Sequence, residues 1–437
     1  MKAYVFALVF TVFSVRAEVS VTGVKVQPRS PWNGMVDVEY TVACDDLAAD
    51  VYINPVVYDG DRRITMFPSS FTGEGWESPV KAGKHKLVWD ARKDFGAYSC
   101  ANFQFKIYAG TRLAKYVKID LSSGSESDNF PVTLSGIGPD VSKDDCRTTE
   151  LWLRFVPPGE FWMGSPKDEV GRSDNETLHH VTFTKPFYIG VFEVTQKQWE
   201  LVMGDKPSYF KDSENWMVRP VESVRLNRMR GHYDPTKSTG LDSNSFVSRF
   251  RIKTRVGSFD LPSESRWEYA CRAGTMTALN NGKNVTETTT SGALTEVAAC
   301  FGNSYADQSY NESSALVGTQ RVGSFMPNVL GLYDMHGNVW EMCRDMSYSF
   351  TWSENDLTDP QPANSGSEGY GYYTSGGSYR NGWRYHSAIR GGSWRDDNQS
   401  CRSACRSAII VLDNGKSSGY TSIGENVGFR ICAEVEF

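Results

Sequence analysis

From residue 148 to the C-terminus the chain carries few helical periods, and this most restricts what it can fold into. Three windows have the spacing and caps of short helices. "VTQKQWELVMG" (194–204) has Thr195 as cap, with Trp199 and Val202 one helical step apart. "SNSFVSRFRIKTR" (243–255) puts Phe246, Val247 and Phe250 on one side. "LPSESRWEYACRAGT" (261–275) has Ser263 as N-cap, Glu264 in the first turn, and Trp267, Ala270 and Cys271 as the apolar stripe. The rest is Gly-, Asn- and Ser-rich connection studded with Trp and Tyr. With 39 Gly, 12 Trp, 21 Tyr and 23 Phe, the chain is no helical bundle. The pattern predicts an α+β fold with much irregular structure. Such a fold leaves many backbone groups without ladder partners, so disulfides or bound ions are expected as fasteners.

The N-terminal part reads differently. Between residues 18 and 119, short alternating runs are separated by turn signals such as Pro31-Trp32-Asn33-Gly34 and Tyr58-Asp59-Gly60. "VDVEYTVAC" places Val36, Val38, Tyr40, Val42 and Cys44 on one face; "HKLVWDA" is another strand; "NFQFKIYAG" turns Phe103, Phe105 and Ile107 inward. This fits an immunoglobulin- or fibronectin-like all-β sandwich. Ser, Asp and Gly dominate 120–147, which reads as a connector to a second domain over 148–437. A chain of 437 residues is expected to split into two domains in any case. The net charge of −6 gives no reason to expect a nucleic-acid partner.

The first 17 residues, MKAYVFALVFTVFSVRA, combine Lys2, an apolar stretch from Ala3 to Val15 and a small-residue end at Ala17. They read as a signal peptide; the expected location is secreted, periplasmic or cell-surface, with no membrane span after cleavage. In an oxidising compartment most of the nine cysteines would pair, with at least one left over. Cys44 with Cys100 is one possible bridge across the sandwich; two separate thiols is the other reading.

Six stretches, in order, carry a resemblance: "PPGEFWMGSP" (157–166), "FYIGVFEVTQKQW" (187–199), "DLPSESRWEYACRAG" (260–274), "NVLGLYDMHGNVWEMC" (328–343), "IRGGSWRDDNQSCRSA" (389–404) and "ENVGFRIC" (425–432). Together they resemble the sulfatase-modifying-factor family, that of the formylglycine-generating enzyme. The resemblance implies a variant C-type-lectin fold for the C-terminal domain. It also implies an oxidase in which two cysteines bind Cu(I), and O2 is used to convert a substrate cysteine to formylglycine.

The same resemblance locates the cysteine positions. Counted from Gly392-Ser393-Trp394, the first falls on Asp396 and the second on Cys401. Counted back from Arg402, Ala404 and Arg406, the second falls on Asn398. Neither count yields a pair, and a hard carboxylate is mismatched to Cu(I). Cys401 is the one candidate catalytic residue. Cys401 and Cys405 as a metal or redox pair of their own are a weaker reading than two thiols that bridge elsewhere or are buried.

Trp340, Ser393 and Asn426 match positions lining the family's cleft, and Trp394 and Arg430 belong to the same blocks. All five could equally be packing residues. In "DMHGNVWE", Asp334, Gly337, Val339 and Glu341 match a structural Ca2+ site of the family, and hard oxygens in an irregular loop suit that ion. No H-x3-H pattern supports a non-haem iron site. The first expectation is therefore an exported family member without the two-cysteine copper site, binding a protein, peptide or glycan in its C-terminal cleft. The second is a copper oxidase using Cys401 with a thiol brought in by the fold. The third is an iron-dependent oxidative enzyme.

Overall fold

The computed structural model describes residues 18–96, 100–231, 241–288, 292–304, 318–346, 354–361, 368–373, 379–413 and 424–435. The expected leader, residues 1–17, lies outside them. The fold is α+β, with a β-rich N-terminal region.

The alternating runs form β1 (Val19–Pro28), β2 (Met35–Cys44), β3 (Tyr52–Asp59), β4 (Ile64–Met66), β5 (Phe71–Gly73), β6 (Gly83–Asp90) and β7 (Phe103–Gly110). One sheet runs β1-β2-β6-β5 and the other β4-β3-β7. Val36, Val38, Tyr40 and Val42 of β2 meet Leu87 and Trp89 of β6 and, from the facing sheet, Ile53, Val57, Phe105 and Ile107. Removing each such side chain from water is worth about 1.5–3 kcal/mol, which drives the two sheets together. Phe103, expected inward, is only partly buried at the rim of this core.

β3 shows little alternation because both of its faces are covered. Val56 on its outer side joins Phe67 and Tyr108 in a cluster with Val156 and Phe161 of the second domain. Asn54 Nδ2 donates to Leu113 O at 2.7 Å, and Tyr58 Oη donates to Glu160 Oε2 at 3.1 Å. The sandwich is thus packed onto the second domain through apolar and polar contacts.

The second domain's first sheet begins at β8 (Tyr116–Asp120), which pairs with β9 (Val132–Ser135) on one side and β10 (Glu150–Val156) on the other. The stretch read as a connector therefore contributes a strand. Beyond β10 lie Phe187–Gly190 and then Cys432–Glu434, so the end of the chain closes this sheet. The three expected helices are present at Gln196–Met203, Phe246–Thr254 and Glu264–Arg272. Thr195, Ser245 and Ser263 cap them through their side-chain oxygens. Thr195 and Gln198 satisfy each other's backbone N–H groups as a capping box. Among the described residues no helix is long and apolar enough to cross a membrane.

All nine cysteines are free thiols in the structure, so the pairing expected of an exported chain is not formed. The proposed Cys44–Cys100 bridge has a local alternative. Cys44 packs in the sandwich core, while the Cys100 thiol donates to Asp59 Oδ1 at 3.0 Å.

Candidate functional site

Three chain segments converge on the residues expected to line the cleft. The strand Trp340–Met346 pairs antiparallel with Tyr379–Arg390 and, through Trp340 and Glu341, parallel with Val427–Gly428. The turn after Arg390 is two glycines with φ of +97° and +74°, a region that L side chains rarely enter. A Cβ on Gly392 would lie 2.5 Å from the Cys401 Sγ, so the turn also needs the missing side chain. Backbone bonds tie the turn down: Gly337 N donates to Gly391 O at 2.7 Å, and Trp394 N to Asn338 O at 2.8 Å. Trp340 N donates to Asn426 O at 2.8 Å.

This places Trp340, Ser393 and Asn426 around one carboxylate, that of Asp396. Trp340 Nε1 donates to Asp396 Oδ2 at 2.9 Å, and Ser393 Oγ donates to the same oxygen. Asn426 Nδ2 lies 3.4 Å from Ser393 Oγ. Trp394 stands beside them, its ring edge-to-face with Phe210 at 5.8 Å and its Nε1 donating to Glu425 O. Burial pushes the Asp396 carboxyl above its usual range, although the Ser393 and Trp340 donors oppose this.

Arg430, expected at the cleft, lies beneath it. It has no solvent exposure, and its guanidinium grips both oxygens of Glu341 at 2.5 Å each. Trp267 Nε1 adds a third donor to Glu341 at 2.8 Å. The Glu341 carboxylate supplies the counter-charge that this buried guanidinium needs.

The four residues expected to hold Ca2+ sit around this pair. Asp334 Oδ2 accepts from Gly323 N at 2.6 Å, and burial pushes its carboxyl up to about 6. The sequence reading missed Glu193, from "FYIGVFEVTQKQW". Its carboxylate accepts from Asn338 Nδ2 at 2.6 Å and Val339 N at 3.1 Å, inside the same loop. Burial first, then repulsion from Asp334 and Glu341, holds it well above the carboxylate range. A lone acidic residue in an apolar run was the available signal. Three buried carboxylates face the Arg430 guanidinium, so the donors are hard oxygens with negative charge to spare. Hard oxygens are the donor type that Ca2+ takes, but Arg430 holds both Glu341 oxygens, and Asp334, Glu193 and Glu341 do not gather as a metal-ligating group among the described residues.

At the position that the resemblance gives to the first copper-binding cysteine stands the Asp396 carboxylate, a hard oxygen donor. Cys401 has no solvent exposure and packs among Ala278, Leu279, Val285 and Cys300, with burial pushing its thiol far above the usual range. Cys405 belongs to a different cluster, with Trp340, Met342 and Ile389. Cys401 and Cys405 therefore pack in different clusters; the thiol sharing a cluster with Cys401 is Cys300. Among the described residues the histidines do not gather either: His179 Nδ1 contacts Thr177 O, His180 lies by Arg63 and Glu160, and His336 Nδ1 contacts Cys401 O.

The segment after Asp396 is held by buried ion pairs. Arg390 pairs with Glu268, Arg402 with Glu176 and Glu169, and Arg406 with Glu264.

The family model described as FGE-sulfatase, the sulfatase-modifying factor enzyme 1-like domain, matches residues 139–435. The chain belongs to this family. It is 32% identical over 182 residues to the chaperone protein LppX of Paenibacillus barcinonensis, covering 36% of this chain and 61% of that protein. It is 29% identical over 255 residues to the formylglycine-generating enzyme of Mus musculus, covering 51% of this chain and 65% of the enzyme. The chain thus spans less than two thirds of either relative. Among solved structures, Treponema denticola variable protein 1 aligns with a TM-score of 0.45 at 22% identity, over 65% of this chain and 96% of that one. The sulfatase-modifying-factor match begins at residue 139, so β1–β9 lie outside it.

Proposed function

We propose that this sulfatase-modifying-factor protein is exported and acts as a binding member of its family, without copper-dependent oxidation. One observation carries the reading: a carboxylate, Asp396, stands at the cleft among Trp340, Ser393 and Asn426. Its Oδ2 is taken by Trp340 and Ser393, which orients the group. Its other oxygen is then available to a hydroxyl, amide or amine of a protein, peptide or glycan ligand, with the partly exposed Phe210 ring, packed edge-to-face on the buried Trp394, close by. An oriented, partly desolvated carboxylate is a strong hydrogen-bond acceptor. A Ca2+ ion held by Asp334, Glu341 and the carbonyls of Gly337 and Val339 would share Glu341 with Arg430, offset buried negative charge and brace the loop below Trp340.

The test is direct. The reduced protein is titrated with Cu(I) against a competing chelator and incubated with a Cys-x-Pro-x-Arg peptide and O2. No stoichiometric copper and no formylglycine by mass spectrometry are expected. Turnover would sink the binding reading in favour of an oxidase built on Cys401 and Cys300, which share one apolar cluster. Export is checked by N-terminal sequencing of protein recovered outside the cytoplasm; an intact Met1 there would refute cleavage after residue 17.

A further inference from the structure

A cavity of about 360 Å3 lies where the sandwich meets the second domain. Trp76 and Glu77 line it from the sandwich, Lys115 and Tyr116 from the start of β8, Arg154 from β10, and Asn328–Gly331 from the loop beyond. Its size is that of a small-molecule pocket, and domain junctions are where such pockets concentrate.

Its charge is unusual. Lys115 is 8% exposed, and its Nζ donates to Trp76 O at 2.7 Å while standing 3.2 Å from the Trp76 ring centroid. Arg154 donates to two carbonyls, Leu330 O and Lys115 O, both at 3.0 Å, and its guanidinium lies 5.1 Å from the Tyr116 ring. Neither cation forms a salt bridge among the described residues. Glu77, the one carboxylate lining the cavity, is exposed. Lys115 is buried and Arg154 partly buried, and holding two cations away from water without a counter-anion is costly. Burial and the neighbouring Arg154 push the Lys115 amine down to about 6, against the pull of Glu77. Burial likewise lowers Arg154.

The wall opposite is glycine where it packs most closely. A Cβ on Gly136 would lie 2.1 Å from Glu77 O, and one on Gly138 would lie 2.8 Å from Tyr116 Cζ, so neither position has room for a side chain.

We propose that this junction is a binding site for a small oxyanion, a carboxylate or phosphate, held between Lys115 and Arg154 with Trp76 and Tyr116 as its aromatic walls. The site is separate from the Asp396 cleft and does not depend on the reading of that cleft. The anion supplies the counter-charge that the two cations lack, and it ties the sandwich to the second domain through Trp76 on one side and β8 and β10 on the other.

Calorimetry on the full chain with inorganic phosphate, phenyl phosphate and benzoate tests this. At least one probe should bind with a dissociation constant of about 1 mM or tighter. Tighter binding of phenyl phosphate than of phosphate would point to an organic anion as the source; the reverse order would point to free phosphate. Lys115→Met, which keeps the volume and removes the buried charge, should weaken binding about tenfold. Glu77→Gln, on the exposed rim, should tighten it by roughly two- to fivefold. Arg154→Gln is a poorer choice, because Arg154 also braces two carbonyls. No binding of any probe by the folded wild-type chain, or equal binding by wild type and Lys115→Met, overturns the proposal.

Discussion

Replacing Arg402 by Met removes the cation that anchors the segment following Asp396. Arg402 has no solvent exposure. It donates to Glu176 at 2.6 and 2.8 Å, to Glu169 Oε1 at 2.5 Å and to Gly171 O at 2.6 Å. Methionine fills much of the volume but leaves two carboxylates in the interior without their counter-ion. Breaking a buried pair from one side costs about 3–5 kcal/mol. The loss depends on pH, and its sign follows from Glu176. In the native protein burial pushes the Glu176 carboxyl up, but the two-pronged grip of Arg402 draws it below its usual value. A depressed carboxylate contributes stability above the unfolded value, lost as pH falls through the folded one. Glu169, with one bond, stays above its usual range because burial wins. Without Arg402 burial acts unopposed on Glu176 as well. Its folded value then lies above the unfolded one, and stability is lost as pH rises through that window. The deficit of Arg402→Met should therefore be largest near neutrality and shrink on acidification, by about 1.4 kcal/mol for each unit separating the two folded Glu176 values. Urea unfolding of both proteins at about pH 7 and about pH 4.5 measures it. Adding Glu176→Gln to Arg402→Met should recover a large part of the loss. A neutral-pH deficit below about 1 kcal/mol, or one that does not shrink in acid, would refute the reasoning.

Other outcomes are equally specific. Gly337 has φ +77°, and a Cβ there would lie 2.1 Å from Ala299 O, so Gly337→Ala should cost more than about 2 kcal/mol and disturb the Trp340 indole environment seen by near-ultraviolet circular dichroism. Thr195→Ala removes the capping box and the Thr195 Oγ1 bond to Arg147 O at 2.6 Å; a loss of about 1–2 kcal/mol in a denaturant midpoint is expected, and Thr195→Ser should restore most of it. Burial raises Asp396 in the folded state, so its ionisation opposes folding as pH rises. Asp396→Asn should therefore raise the thermal midpoint at neutral pH and change it little near pH 3, an order that a binding carboxylate held at a stability cost requires. Chelation of Ca2+ should lower the thermal midpoint of the wild-type chain, and Ca2+ but not Mg2+ should restore it; an unchanged midpoint would remove the ion from the Asp334 loop.

Contiguous residues determined a good deal by themselves. The alternation of Val36, Val38, Tyr40 and Val42 specified a half-buried strand, and Thr195 and Ser263 marked helix starts. Both signals act within a few residues, so one chain segment contains all the information they need. The ordered blocks from "PPGEFWMGSP" to "ENVGFRIC" identified the family for the same reason. Tertiary structure decided the rest. The Ser-, Asp- and Gly-rich stretch before residue 147 reads as a connector until β8 supplies a partner for β9. Cys401 and Cys405 are neighbours in sequence yet face different clusters, which no spacing rule could settle for an irregular turn. Asp396 is oriented by Trp340, 56 positions earlier, which donates to it. Arg430 leaves the cleft because Glu341, 89 positions away, is buried where only a guanidinium can satisfy it. Pairings across such separations depend on which groups are desolvated together, and desolvation is a property of the packed molecule rather than of any stretch of its chain.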